Sequence, residues 1–144
     1  MRLTSFTDYS LRVLMYLATD PDRRATIAEI AAAFDISRNH LMKVVQFLGQ
    51  AGWLANVRGR AGGIELAHAP EDINIGGVVR ATEGDPVPAE CFDRANNTCG
   101  IVRACKLKGV LAEAVEAFNE VLDQYTLADL VANRNALARM LMSG

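Results

Sequence analysis

Three cysteines lie close together in the sequence, at Cys91, Cys99 and Cys105, in the spacing Cys-x7-Cys-x5-Cys. Because an odd number of cysteines cannot all pair in internal disulfides, a metal, a cluster or a redox role is the first hypothesis. The closely spaced Cys-x2-Cys pairs typical of zinc sites are absent, and neither histidine of the chain, His40 or His68, is near in sequence. Thiolates without neighbouring histidines favour an iron–sulfur cluster, with zinc or three separate free thiols as the alternatives.

A stretch without acidic residues is the second feature that could have a chemical function. It lies between Asp35 and Glu65 and covers residues 36–64. The basic residues within it are Arg38, Lys43, Arg58 and Arg60. The net charge of −2 argues mildly against nucleic acid as a partner, but residues 1–70 alone carry +2. Since salt limits charge effects to roughly 10 Å, a local basic face can bind phosphates on an acidic protein; the alternative is a solvated helix surface.

The elements predicted around these basic residues form a helix-turn-helix. Apolar residues at helical spacing predict a first helix that begins near Phe6. Thr26 and Glu29 have the spacing of a capping box at the start of a second helix, and Ser37 is a good N-cap for a third. Arg, Lys and Asn near the start of that third helix can reach phosphates and base edges. The predicted DNA contacts here are Ser37, Arg38, Asn39, His40 and Lys43.

Two short apolar segments around a glycine-rich tip predict a β-hairpin after the third helix. Its tip carries Arg58 and Arg60, which complete the predicted DNA contacts because arginines can enter a minor groove. A helix capped by Asn74 follows. These elements predict a mainly α fold with a winged helix-turn-helix DNA-binding domain over residues 1–84; the alternative is a small helical domain with an ordinary hairpin.

The rest of the chain predicts a cluster-binding loop over 85–105 and a dimerisation helix with a C-terminal tail over 106–144. Apolar residues at alternating spacings of four and three follow the helix start, which is typical of a heptad seam. The predicted dimer interface consists of Leu107, Leu111, Ala114, Phe118, Val121 and Tyr125. A homodimer with paired long helices would suit a palindromic DNA site, and packing onto the chain's own domain is the alternative.

Composition excludes several other classes of protein. About half of the 144 residues are hydrophobic, which is enough for a packed core. No apolar run approaches the roughly 20 residues of a transmembrane helix, and the N-terminus lacks a secretory core, so a cytoplasmic location is expected. The sequence shows no nucleophile–base pair, phosphate loop or metallohydrolase spacing, and therefore predicts no enzyme.

The chain resembles the winged-helix iron–sulfur regulators, the family that includes NsrR and IscR, along nearly its whole length. The matching segments are LTSFTDY at 3–9, LRVL at 11–14, VRGRAGG at 57–63, PEDINIG at 70–76, CKLKGVL at 105–111 and YTLADL at 125–130. The last two segments are specific to the NsrR-like members, which are nitric-oxide-sensing repressors.

This resemblance implies a homodimer with one cluster per subunit, held by Cys91, Cys99 and Cys105. In NsrR-like members an aspartate at the start of the first helix, from the partner subunit, can be the fourth ligand of a 4Fe–4S cluster, and Asp8 matches that position. IscR-like members use a histidine shortly after the third cysteine for a 2Fe–2S cluster, and no histidine follows Cys105 here. The alternative role of Asp8 is an ion pair with Arg12 or an interaction with the helix macrodipole.

The function predicted from these features is that of a DNA-binding repressor that releases DNA when its cluster is nitrosylated. The alternatives are a thiol- or zinc-based redox-responsive regulator of the same fold and, less favoured, a small redox carrier. The expected cofactor is a 4Fe–4S cluster, with a 2Fe–2S cluster or loss of the cluster in air as variants.

Overall fold

The computed structural model describes residues 2–142 and is mainly helical, as the sequence predicted. The outermost residues of the predicted division into 1–84, 85–105 and 106–144, which are Met1, Ser143 and Gly144, lie outside the described part. The elements are α1 Ser5–Thr19, α2 Ile27–Phe34, α3 Arg38–Gln50, β1 Leu54–Val57, β2 Gly63–Leu66, α4 Ile75–Glu83, α5 Lys106–Asp123, α6 Leu127–Leu130 and α7 Arg134–Leu141. Short 3₁₀ turns lie at Pro70–Asp72 and Glu90–Phe92.

The predicted helix starts are confirmed by their hydrogen bonds. Thr26 and Glu29 form a reciprocal capping box at α2, in which each side chain accepts a backbone N–H of the other residue. The Ser37 hydroxyl accepts the backbone N–H of His40 at 3.2 Å and caps α3. The Asn74 side chain caps α4 by accepting the N–H of Gly77 at 2.9 Å. These polar side chains satisfy backbone donors that have no partner inside a helix, and so they fix where each helix begins.

The helix-turn-helix is built on the buried side of α3. Leu41, Val44 and Leu48 are fully buried there, in the same core as Val13 and Leu14 of α1. Since one side of α3 is committed to the core, its opposite side is left to solvent. The left-handed conformation of Asp35 ends α2 and turns the chain into α3.

The wing is an antiparallel pair in which Leu54 lies opposite Leu66 and Val57 opposite Gly63. Ala25, just before α2, adds a third strand-like pairing: it exchanges two backbone hydrogen bonds with Ile64, of 3.0 and 2.7 Å. The wing is therefore attached to the helix-turn-helix by backbone as well as by side chains.

The chain after α5 returns to the N-terminal core. Leu127 and Val131 are buried in it, and α6 and α7 both contact α1. The backbone N–H of Leu127 donates to the Ile73 carbonyl at 2.8 Å. The sequence did not predict this packing, and the three-part domain division stays a prediction. None of the described helices has the length and apolar composition to cross a membrane.

Candidate DNA-binding face and cysteine loop

The solvent side of α3 presents the side chains predicted to bind DNA. Arg38, Asn39, His40 and Lys43 are all exposed. Ser37 is exposed as well, but its hydroxyl is engaged as the N-cap. The first turn of α3 contains no acidic residue, so nothing on this turn opposes the approach of a phosphate.

An open groove of about 770 Å³ runs along this side of α3 towards the wing. Its lining includes the predicted residues Asn39 and Lys43 together with Met42, Gln46 and Asn56. These last three were not among the predicted DNA contacts. Met42 and Gln46 could have been found from their spacing of three and seven residues from Asn39, which places all three on one side of a helix. Asn56 could not, because β1 brings it to the groove.

The wing tip is a tight glycine turn that exposes Arg58 and Arg60. Gly59 has φ +105°, and a Cβ on Gly62 would collide with the backbone carbonyl of Val57, so both positions require glycine. Neither arginine makes an ion pair within the part of the chain that the structure describes. Two unpaired guanidinium groups on a fixed turn are suited to DNA phosphates or a minor groove.

Arg24 supports the wing tip, a role that sequence reasoning missed. Its guanidinium donates to the Ala61 carbonyl at 3.0 Å and pairs with Glu65 at 2.9 Å. Arg24 therefore holds the turn in place. Its guanidinium is already engaged within the subunit, unlike those of Arg58 and Arg60 at the tip.

Helix α1 lies directly behind the recognition helix. The Tyr9 and His40 rings meet edge to face with centroids 5.2 Å apart, and Phe6 meets Phe47 in the same way at 5.3 Å. Such edge-to-face pairs have a preferred geometry, so a shift of α1 would disturb ring contacts near both ends of α3.

Asp8 lies in the first turn of α1 and is paired with Arg12, one of the alternative roles considered for it. The Arg12 guanidinium also lies 5.8 Å from the Tyr9 ring centroid and 5.7 Å from that of Phe34. Asp8 is thus linked through Arg12 and Tyr9 to His40 at the start of α3.

The three cysteines are free thiols, each half-buried, on the segment between α4 and α5. Within residues 2–142 no group of three or more Cys, His, Asp or Glu side chains is gathered closely enough to hold a metal ion. The Lys108 ammonium lies 5.8 Å from the ring centroid of Phe92, which joins the turn carrying Cys91 to the first turn of α5.

Local hydrogen bonds shape the loop between Cys91 and Cys99. The Asn96 side chain and the Ala95 N–H donate to the carboxylate of Asp93 and hold the pKa of Asp93 below its usual value. The Cys99 N–H donates to the Asn97 side chain at 3.0 Å. These contacts all span two or three residues, so they shape turns without tying the loop to the core.

The donor set fits an iron–sulfur cluster in chemistry, although the thiols do not converge in this conformation. Soft thiolates are the ligands that such clusters use, and a loop shaped by short-range hydrogen bonds can close around one. Cys105 is the N-cap residue of the 18-residue helix α5, whose first turn has no acidic residue. The positive end of a helix macrodipole is a favourable place for a negatively charged thiolate-bound group.

The apolar surface of α5 divides into two sides. Phe118 and Leu122 pack against the chain's own core, so part of the predicted dimer seam is used within the subunit. The side chains left exposed are Leu107, Val110, Ala114, Val121 and Tyr125, while Leu111 is half-buried. Packing onto the chain's own domain, the alternative to a dimer, is therefore observed for one side of α5, and residues 2–142 leave the other side exposed.

A winged helix-turn-helix with a basic, exposed recognition helix defines the class of this protein: it is a DNA-binding transcriptional regulator. The family model described as "Rrf2: Iron-dependent Transcriptional regulator" matches residues 3–133, and the chain belongs to that family. Because its relatives are transcriptional regulators, the protein is not an enzyme.

Individual relatives agree with this assignment. The chain is 53% identical over 142 residues to the HTH-type transcriptional regulator NsrR of Bacillus subtilis (strain 168), a match that covers 98% of this chain and 97% of the relative. Among solved structures, T. potens IscR has a TM-score of 0.75 at 25% identity, covering 92% of this chain and 88% of that one. CymR, the global cysteine regulator of B. subtilis, has a TM-score of 0.70 at 26% identity, covering 92% and 98%. The resemblance inferred from the sequence is confirmed.

Proposed function

We propose that this protein is a cytoplasmic repressor that binds a palindromic operator as a homodimer and senses nitric oxide through one iron–sulfur cluster per subunit. The observation that carries the proposal is the loop of three free thiols placed between the DNA-binding elements and α5. Its support from relatives is the 53% identity to a regulator named NsrR.

The cluster ligands in this proposal are Cys91, Cys99 and Cys105 of one subunit, with Asp8 of the partner subunit as the fourth. Three thiolates leave one position of a 4Fe–4S cluster unfilled. A carboxylate oxygen is a harder ligand than a thiolate and matches iron less well, so this position is the one most open to nitric oxide. When bound, the cluster supplies the iron at which nitric oxide reacts.

In this proposal, a chain of side-chain contacts connects the cluster ligand Asp8 to the recognition helix α3. An Asp8 carboxylate that did not serve as a ligand would be free to pair with Arg12, as it does in the single chain. Arg12 contacts Tyr9, and Tyr9 contacts His40 on α3. Loss of the tie between subunits alters the spacing of the two recognition helices, and a coupling of about 3 kcal/mol would lower DNA affinity by roughly a hundredfold.

Dimerisation in this proposal uses the exposed side of α5. A row of large apolar side chains along one helix is costly to leave in water, and a second copy of α5 presents the same row. A two-fold axis between paired helices also repeats the winged domain with the symmetry of a palindromic operator.

Anaerobic purification tests the cofactor directly. We expect a coloured protein with iron and acid-labile sulfide in a ratio near one, and loss of both in Cys99→Ser. A protein that contains no iron as purified and does not acquire it on anaerobic reconstitution would contradict the proposal. That result, together with bound zinc or a DNA affinity that depends on thiol oxidation, would instead favour the zinc- or thiol-based regulator that the three free thiols also allow.

A further inference from the structure

Met42 is an unusual residue for the surface of the winged domain. Its side chain is 54% exposed, and among the described residues 2–84 it is the only large apolar side chain left exposed. The neighbouring apolar residues of α3, Leu41 and Val44, are by contrast fully buried.

The position of Met42 on α3 places it among polar side chains suited to base edges. It lies three residues after Asn39 and four before Gln46, and all three line the same groove together with Lys43. Side chains three and four residues apart lie side by side on a helix. Met42 is therefore an apolar contact point between two amides that can each bind an adenine edge.

We propose that Met42 is a specificity-determining residue that contacts the C5 methyl group of a thymine in each operator half-site. The inference rests on the proposed placement of α3 in the major groove. Thymine is the one base with a methyl group there, so an apolar side chain on the groove-facing side of a recognition helix discriminates it from cytosine. The flexible thioether side chain of methionine adapts to such a small apolar target.

Asn39 and Gln46 support this contact because the adenine paired with a thymine presents its N6 and N7 to the same groove. An amide beside Met42 can therefore bind the adenine edge while Met42 contacts the methyl group, either in one base pair or in adjacent pairs. Lys43, in the same groove, supplies charge to a nearby phosphate without adding a preference for sequence.

Replacement of thymine by deoxyuridine tests this contact, because it removes only the methyl group and keeps the base pairing. The probe is a duplex that the wild-type protein itself selects from a random pool, with each thymine pair of the two half-sites replaced in turn. We expect one position at which the wild type binds the uracil duplex about fourfold more weakly per half-site, the effect of one apolar methyl contact. Met42→Ala should bind thymine DNA more weakly by a similar factor and should not distinguish thymine from uracil at that position.

Met140→Ala is the matched control, since Met140 is 80% exposed on α7 at a distance in sequence from the recognition helix. It should keep the full thymine preference of the wild type. Thermal unfolding of all three proteins should agree, because neither methionine is in the core. A Met42→Ala protein that still distinguishes thymine from uracil, or a wild type that does so nowhere, would overturn the inference. A protein that selects no DNA sequence at all would overturn the proposed function as well.

Discussion

Asp8 and Arg12 form a two-point ion pair across one turn of α1. The Arg12 Nε donates to Asp8 Oδ1 at 3.2 Å, and its terminal nitrogen lies 2.9 Å from Oδ2. Each carboxylate oxygen contacts Arg12, so an iron atom that used Asp8 as a ligand would either displace Arg12 from one oxygen or share that oxygen with it. The pair is about half exposed, and such pairs contribute at most about 1 kcal/mol, which is a modest barrier to exchange.

The first prediction concerns Asp8 as a cluster ligand. In anaerobically prepared protein, Asp8→Ala should alter the visible spectrum of the cluster and change the amount of nitric oxide needed to bleach it. The Asp22→Ala variant is the control, because Asp22 is an exposed acid outside the cysteine loop and α1. A spectrum and a nitric oxide response identical to those of the wild type would remove Asp8 from the ligand set.

The second prediction concerns the wing. Arg60→Ala should weaken DNA binding and reduce the slope of log affinity against log salt by about 0.9 for one phosphate that the protein no longer neutralises. Arg60→Lys keeps the charge and should keep the slope, so the comparison separates a phosphate contact from a change in wing shape. Fluorescence anisotropy over a series of salt concentrations measures both, and an unchanged slope in Arg60→Ala would exclude this contact.

The third prediction concerns the exposed side of α5. Val121→Asp places a charge in the proposed dimer interface and should weaken association by about 100-fold or more, because an unpaired charge is costly to bury. Ala112→Asp places the same charge on an exposed position of α5 outside the predicted seam and should leave the dimer intact. Sedimentation equilibrium distinguishes them; a Val121→Asp protein that remains a dimer at low concentration would rule out this interface.

The fourth prediction concerns the junction between α4 and α5. A Cβ on Gly76 would collide with the Asp123 side chain, which is also 2.7 Å from the Arg80 guanidinium. Gly76→Ala should therefore destabilise the fold by about 1–3 kcal/mol. Gly109→Ala, also on a helix but with open space around the added methyl, should instead stabilise by about 0.5–1 kcal/mol.

Urea unfolding of the cluster-free proteins measures both glycine variants. The protein concentration is held fixed, because the apparent stability of a dimer depends on it. A Gly76→Ala variant as stable as the wild type would show that Asp123 moves aside at little cost, and would contradict the tight packing between α4 and α5 at this position.

The elements that depend on local patterns were predictable from the sequence. The caps at Thr26, Ser37 and Asn74 were predicted because each uses a hydrogen bond to a residue three positions later. The glycine-rich wing tip was predicted for the same kind of reason, since its shape is set by a few consecutive residues.

The contacts that depend on long-range packing were not predictable. Arg24 supports the wing through Glu65, 41 residues away, and Glu83 accepts hydrogen bonds from the backbone and the hydroxyl of Thr4, 79 residues away. The division of the α5 surface was equally hidden, because a heptad pattern shows which side is apolar and not how much of it the chain's own core covers. Asp8 illustrates both cases. Its pairing with Arg12 is predictable from their spacing of four residues, whereas its proposed role as a ligand depends on a second subunit.

The most direct test of nitric oxide sensing through the cluster is an anaerobic titration of the cluster-loaded protein with nitric oxide, in which visible absorbance and binding to the selected operator are followed in the same samples. We predict that the cluster absorbance and the bound fraction of DNA fall together and reach their end points at the same ratio of nitric oxide to cluster. Operator binding that persists after the cluster absorbance has disappeared would contradict this coupling.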